Sequence, residues 1–268
     1  MVKHPERQIV SRAEDVLRVL DMWSLPVDPF AIAAQEGIEL APGTFGEGFD
    51  GRIRYLSEVK TFALAYQTQR QGRTPGRVRF TIGHELGHYY LHRAYLLTGR
   101  SHGSKADFRS TNEMEQEADE FAAALLMPLE LFRAEVKRYR QNVCALKELC
   151  ELAEHRLGAS VTSTVRRYCQ ADIEPCAAVF SRNGVVQWAC YSEDMRRLGM
   201  GYVPFGQGLP RGSRSARSFD ELSSAGCIEG EVDPAAWFER PYHRGRIWEE
   251  AMLLGRDGLV LTYLTLVE

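Results

Sequence analysis

The first 143 residues contain no cysteine, and the six that follow (Cys144, Cys150, Cys169, Cys176, Cys190 and Cys227) form no CxxC pair. That excludes a thioredoxin-type redox motif and leaves a cysteine zinc site as the lesser alternative. No stretch approaches the ~18 consecutive apolar residues of a membrane span. The longest apolar segment, Phe121 to Phe132, is broken by Pro128 and Glu130. The opening residues, MVKHPERQIVSRAEDV, lack the apolar core of a secretory leader. The expectation is a cytoplasmic chain, with no membrane partner, whose thiols are reduced and mostly buried. There is no excess of basic charge: the net charge is −3 and the pI about 6.2, so nothing in the totals points to nucleic acid or an anionic membrane. Internal repeats, low-complexity runs, a Gly-rich phosphate loop and a nucleophile elbow are also missing.

What is present is an ordinary globular composition, 44% hydrophobic and 26% charged over 268 residues, enough for one large domain or two modest ones. Apolar residues at 9, 10, 13, 16, 17, 20 and 23 have helical spacing. Pro26 and Pro29 separate them from a short helix, Phe30 to Gln35, which Gly37 can end. Residues 41 to 51 hold four glycines and a proline and read as a loop. Arg52 to Leu56 and Thr61 to Tyr66 read as strands around a turn. Arg77 to Leu97 is helical in pattern, though Gly83 and Gly87 weaken the preference. A polar loop at 98–111 precedes a helix from Asn112 to Leu126, and Leu129 to Gln141 starts another. Ala145 to Cys169 reads as two short helices around Gly158. After Pro175 the texture changes. A hairpin is expected from Ala177 to Tyr191, turning at Asn183-Gly184. Residues 199–230 are loop-like, and Ile247 to Leu254 and Leu259 to Val267 are apolar segments joined at Arg256 to Gly258.

The segment His84-Glu85-Leu86-Gly87-His88 carries the chemistry. On a helix, positions i and i+4 share a face, so two imidazoles can reach one cation with Glu85 beside them as a general base. Imidazole and carboxylate ligands suit zinc, and three of them leave a coordination position open; manganese or iron could occupy the same ligands. By composition alone an accidental HExxH arises in about one or two of a hundred such chains, so the pentapeptide needs support. His92 continues the same face, as a ligand, a partner of a ligand, or a histidine facing the helix dipole; a non-ligand role is favoured because a downstream carboxylate fits better. Candidates on the Asn112 to Leu126 helix are Glu113, Glu115, Glu117, Asp119 and Glu120. Most are expected to be solvated. Glu115 and Asp119, spaced i, i+4, offer a ligand and a carboxylate that orients a ligand histidine through its other nitrogen.

The two motifs RxRFTIGHELGHYYLH (Arg77 to His92) and ExEADEFAAALLMP (Glu115 to Pro128) together resemble the ImmA/IrrE family of metallo-endopeptidases. The resemblance covers roughly residues 10 to 140. It implies a gluzincin-like site in which His84, His88 and Glu115 bind zinc, Glu85 is the catalytic base and Asp119 orients a ligand histidine. Gly83 stands where the family more often has alanine, and Asp119 where it often has asparagine. Tyr89, Tyr95 and His92 are the nearby candidates for a further contact to the reacting carbonyl, against the ordinary reading of such tyrosines as amphipathic core.

The expected fold class is α+β. A mainly helical zincin-like peptidase domain with a small sheet spans 1–140, helix-turn-helix-like helices span 141–171, and a small α/β domain, GAF-like and sensory by resemblance, spans 172–268. Arg211, Arg214 and Arg217 form either a basic strip or a solvated loop. DNA is a candidate partner of the helix-turn-helix-like segment, and the absence of a basic stripe weighs against it. By the family resemblance, the activity is zinc-dependent cleavage of a regulatory protein, a helix-turn-helix repressor, in a stress or mobile-element response. The alternatives are a DNA- or partner-binding transcriptional regulator with a structural metal, and a zinc hydrolase of small molecules. An intact Glu85 speaks against the former. An edge strand able to pair with a peptide, with Thr61 to Tyr66 the candidate, would speak against the latter.

Overall fold

The computed structural model describes residues 5–46, 49–68, 74–100, 112–139, 146–217, 221, 226–239, 241, 245–254 and 258–267. The loop expected at 98–111 lies outside these from 101 onward, as do Cys144 and residues 256–257 of the expected C-terminal turn. The chain forms two compact units, one of Met1–Ala134 with Ala153–Ser160, the other of Glu135–Leu152 with Val161–Glu268. No helix among the described residues is long and apolar enough to cross a membrane.

The first unit begins with α1 (Glu6–Val19), whose buried stripe is Ile9, Ala13, Val16 and Leu17. The buried stripe matches the helical period of the sequence. The short α2 (Pro29–Gln35) starts at Asp28, whose side chain accepts from the Phe30 N–H, with Pro29 preset for the first helical position. A three-stranded sheet follows, of β1 (Glu39–Gly43), β2 (Gly51–Leu56) and β3 (Thr61–Gln67), in the order β1-β3-β2. Two expectations are corrected here. Residues 41 to 43 are strand rather than loop: β1 pairs in parallel with β3, and Pro42 is tolerated because β1 is an edge. Thr61 to Tyr66 is the central strand, not the edge, because both neighbours bond to it; β2 is the antiparallel edge.

Helix α3 (Pro75–Leu91) lies against β2 and β3 and packs extensively on α5 (Glu113–Leu126), which also meets α1. Thr74 caps α3 through the Arg77 N–H, with Pro75 next, so the helix starts before the motif does. The expected run to Leu97 is interrupted: His92 leaves helical geometry (φ −119°, ψ 23°), and α4 (Arg93–Leu96) follows. Asn112 caps α5 through the Met114 N–H. Ile53, Leu64, Ile82, Leu86, Phe121 and Leu125 are all fully buried in this unit. Helix α6 (Leu129–Tyr139) comes next in the chain.

In the second unit α7 (Leu146–Leu152) and α8 (Val161–Ala171) pack on an antiparallel sheet. A π-helical turn (Ala153–Leu157) and Gly158 (φ +57°) come between them in sequence. The sheet comprises β4 (Cys176–Arg182), β5 (Val185–Tyr191), β6 (Cys227–Val232), β7 (Arg246–Leu253) and β8 (Leu259–Val267), in the order β5-β4-β8-β7-β6. Helix α9 (Glu193–Arg197) follows β5, and α10 (Pro234–Trp237) follows β6. Asn183 and Gly184, both at positive φ, make the expected two-residue turn. Strand β6 is a further correction to the loop expected over 199–230: CIEGEV has little strand character of its own and is recruited by pairing with β7. Ser215, in the same Gly/Ser/Arg-rich stretch, is held inside, its N–H and hydroxyl both donating to buried Glu249, which also accepts from the Trp237 indole. Arg211 and Arg217 are exposed and Arg214 is half-buried, so the three arginines do not form a continuous strip. Cys169 and Cys176 are buried, Cys150, Cys190 and Cys227 are half-buried, and none of these five is in a disulfide.

Candidate metal centre

Helices α3 and α5 each supply part of one buried cluster. His84 and His88, one turn apart on α3, bring their Nε2 atoms to 3.1 Å. Glu115, from the first turn of α5, places Oε2 3.2 Å from His84 Nε2 and Oε1 3.3 Å from His88 Nε2. The helices can approach this closely because position 87 has no side chain: a Cβ there would stand 2.9 Å from Ala118 Cα. Position 118 lies between Glu115 and Asp119, so this contact sets the distance between the two halves of the site.

The far side of the His84 ring is tied down, its Nδ1 lying 2.8 Å from Asp119 Oδ1. Burial disfavours a charged His84, yet the hydrogen bonds of Asp119 and Glu115 overcome it and push its pKa up to about 10. Glu115 is held well below the usual carboxylate range: burial opposes this, and the hydrogen bonds of His84 and His88 prevail. The two shifts are the two sides of one contact, imidazole against carboxylate, and each favours the charged form of its own group.

Glu85 is fully buried next to the histidines. Its Oε2 accepts the backbone N–H of Ile53, 2.8 Å away on the edge strand β2. Gly51, at the start of β2, makes room for it: a Cβ there would lie 2.6 Å from Thr81 Cγ2 and 3.1 Å from Glu85 Oε1. Glu85 therefore lies between the two histidines' helix and an edge strand.

The structure thus brings together His84, Glu85, His88, Glu115 and Asp119. Tyr89 is not with them. Its hydroxyl donates to Glu36 and its ring meets Phe62 edge-on, because position 89 is turned about 100° past His88 around α3. Tyr95 stands on α4, past the break at His92. His92 is buried against His88, and its Nε2 reaches Glu117. Glu117, expected among the solvated carboxylates, is buried instead. A signal was available: Glu117, Phe121 and Leu125 share one helical face, so Glu117 heads an apolar stripe. No residue pattern could have announced the Ile53 N–H, a backbone group delivered by the sheet.

The residues fit a metal ion. Two Nε2 atoms and a carboxylate lie within 4.8 Å of one another. Glu115 Oε1 is buried and faces His88 Nε2 at 3.3 Å without a well-formed hydrogen bond. Four buried carboxylates (Glu85, Glu115, Glu117, Asp119) accompany three imidazoles, a balance that a bound cation corrects. This is the arrangement of the HExxH class of metal sites, with a glutamate from a second helix where a third ligand would stand.

Residues 70–167 match the IrrE N-terminal-like domain family, Peptidase_M78. The match spans both motifs and bears out the resemblance to the ImmA/IrrE family; it supports a metallopeptidase family for this segment. A solved structure described as a Mycobacterium tuberculosis transcriptional regulator is similar over 97% of this chain and 76% of its own, with a TM-score of 0.63 and 14% sequence identity. At that identity the likeness is one of fold. No curated protein matches the chain.

Proposed function

We propose that the chain is a zinc-dependent endopeptidase acting in the cytoplasm on a regulatory protein, a helix-turn-helix repressor. The observation that carries the hydrolytic part is the position of Glu85, a fully buried carboxylate beside the metal cluster and bonded to the edge strand β2. A purely structural metal has no use for it. His84, His88 and Glu115 hold the ion. Zinc bound there would supply a Lewis acid that acidifies water and polarises a carbonyl. Glu85 takes the proton of the attacking water and later delivers it to the leaving amine. The Ile53 N–H holds the Glu85 carboxylate by one oxygen. Strand β2, as an edge, can pair with an extended peptide, which favours a protein substrate over a small molecule. The choice of a repressor, in a stress or mobile-element response, rests on the family resemblance alone.

The test is zinc content by mass spectrometry on wild type, His88→Ala and Glu85→Gln, then digestion of a proteome-derived peptide library by the same proteins. The expected result is about one zinc per chain in wild type and Glu85→Gln, loss in His88→Ala, and cleavage by wild type only. Zinc binding without cleavage would favour a regulator with a structural metal, a reading to which the solved regulator of similar fold lends support.

A further inference from the structure

The two metal-binding histidines are supported differently. His84 is backed directly by the Asp119 carboxylate. Behind His88 stands a second imidazole instead: its Nδ1 lies 3.0 Å from the Nδ1 of His92, and His92 Nε2 lies 2.9 Å from Glu117 Oε2. We infer that His92 and Glu117 form an imidazole–carboxylate relay that fixes His88 as a ligand, a lengthened counterpart of Asp119 behind His84. This rests on the reading of His84, His88 and Glu115 as the metal ligands.

The proton count fixes the direction of the relay. A nitrogen–nitrogen contact of 3.0 Å needs one proton between the rings. His88 turns its Nε2 to His84 and Glu115, and a neutral imidazole that ligates through Nε2 carries its proton on Nδ1. His88 Nδ1–H therefore donates, and His92 Nδ1 accepts. The proton of His92 then sits on Nε2 and donates to the Glu117 carboxylate. Both ring nitrogens of His92 are thereby committed, and neither faces the ion, so His92 is a positioning residue rather than a fourth ligand. Burial of both partners also matters. His92 and Glu117 are each about 5% exposed, where a carboxylate without a hydrogen-bond donor would be costly.

The experiment uses the full chain with zinc as probe. Zinc affinity is measured by chelator competition for wild type, His92→Phe, Glu117→Ala, Glu117→Gln and the double variant His92→Phe/Glu117→Ala. His92→Phe and Glu117→Ala are each expected to weaken zinc binding by about 10- to 100-fold, the usual effect of removing a group that orients a ligand. The double variant should lose little more than either single one, because the two act through one relay. Glu117→Gln should recover most of the affinity, because its amide oxygen still accepts the His92 proton. Nitrogen-15 NMR of the zinc-loaded wild type gives a readout free of any folding defect, and should place the His92 proton on Nε2. Wild-type zinc affinity in folded His92→Phe or Glu117→Ala, or a His92 proton on Nδ1, would overturn the relay while leaving the metal site intact. Failure of wild type to bind zinc would remove the metal reading and the relay together.

Discussion

Alanine placed at the two glycines of the α3 motif should have different effects. At Gly87 a Cβ would meet Ala118 Cα at 2.9 Å and Ala118 O at 3.0 Å, both rigid backbone. Carbon atoms rest about 3.5 to 4.0 Å apart, so α3 and α5 would have to separate by about 0.5 to 1 Å. Such overpacking costs about 1–3 kcal/mol, against a gain of about 1 kcal/mol in helix propensity. At Gly83 the same Cβ would touch Ala122 Cβ and Leu126 Cδ1 at 3.4 Å, an ordinary contact, so the propensity gain survives. Gly83→Ala should therefore raise the thermal midpoint of the zinc-free protein, and Gly87→Ala lower it or leave it unchanged, the two differing by about 1–3 kcal/mol. Because Gly87 lies between the histidines and Ala118 lies next to Asp119, one turn past Glu115, separation also splits the cluster. Zinc affinity should fall about 10-fold or more in Gly87→Ala and stay put in Gly83→Ala. Equal stability and equal zinc affinity in the two variants would refute the idea that this helix contact sets the ligand spacing. The tolerance expected at position 83 also accounts for the alanine that the resembled family more often carries there.

Gly51→Ala should keep zinc and lose cleavage by about 10-fold or more, since the new methyl pushes β2 off Thr81 and Glu85 without touching a ligand; zinc content and kcat measured on one preparation test this, and unchanged kcat would sink it. In the second unit, burial together with Glu229, Glu174 and Glu148 pushes the Glu250 carboxyl up to about 7 from 4.5, despite the Leu146 N–H it accepts. The folded chain then holds this proton more tightly than the unfolded one, so the group's contribution is present below about pH 4.5 and is lost as pH rises through about 7. Glu250→Gln should be more stable than wild type at pH 8 and lose that advantage toward pH 4.5; thermal midpoints that run parallel across this range would contradict it.

The chemistry was legible in the sequence where one helix carries it. The i, i+4 spacing of His84 and His88 places two imidazoles together whatever surrounds them, and the same spacing singled out Glu115 with Asp119. The helices α1, α3 and α5 and the Asn183-Gly184 hairpin were legible because periodicity, caps and turn residues are local properties. What the sequence could not specify was made by partners distant in the chain. Strands β1 and β6 exist because β3 and β7 offer them hydrogen bonds, not because APG or CIEGEV prefer to be extended. Strand β2 became the edge beside Glu85 through sheet order, and its Ile53 N–H is available only because that order leaves it facing away from β3. Glu117 and His92 were drawn inside by the packing of α3 on α5, where each satisfies the other. The sequence by itself determined which side chains could bind a cation. The tertiary structure decided which carboxylates stand behind them, because a buried charge is settled by its neighbours in space and not by its neighbours along the chain.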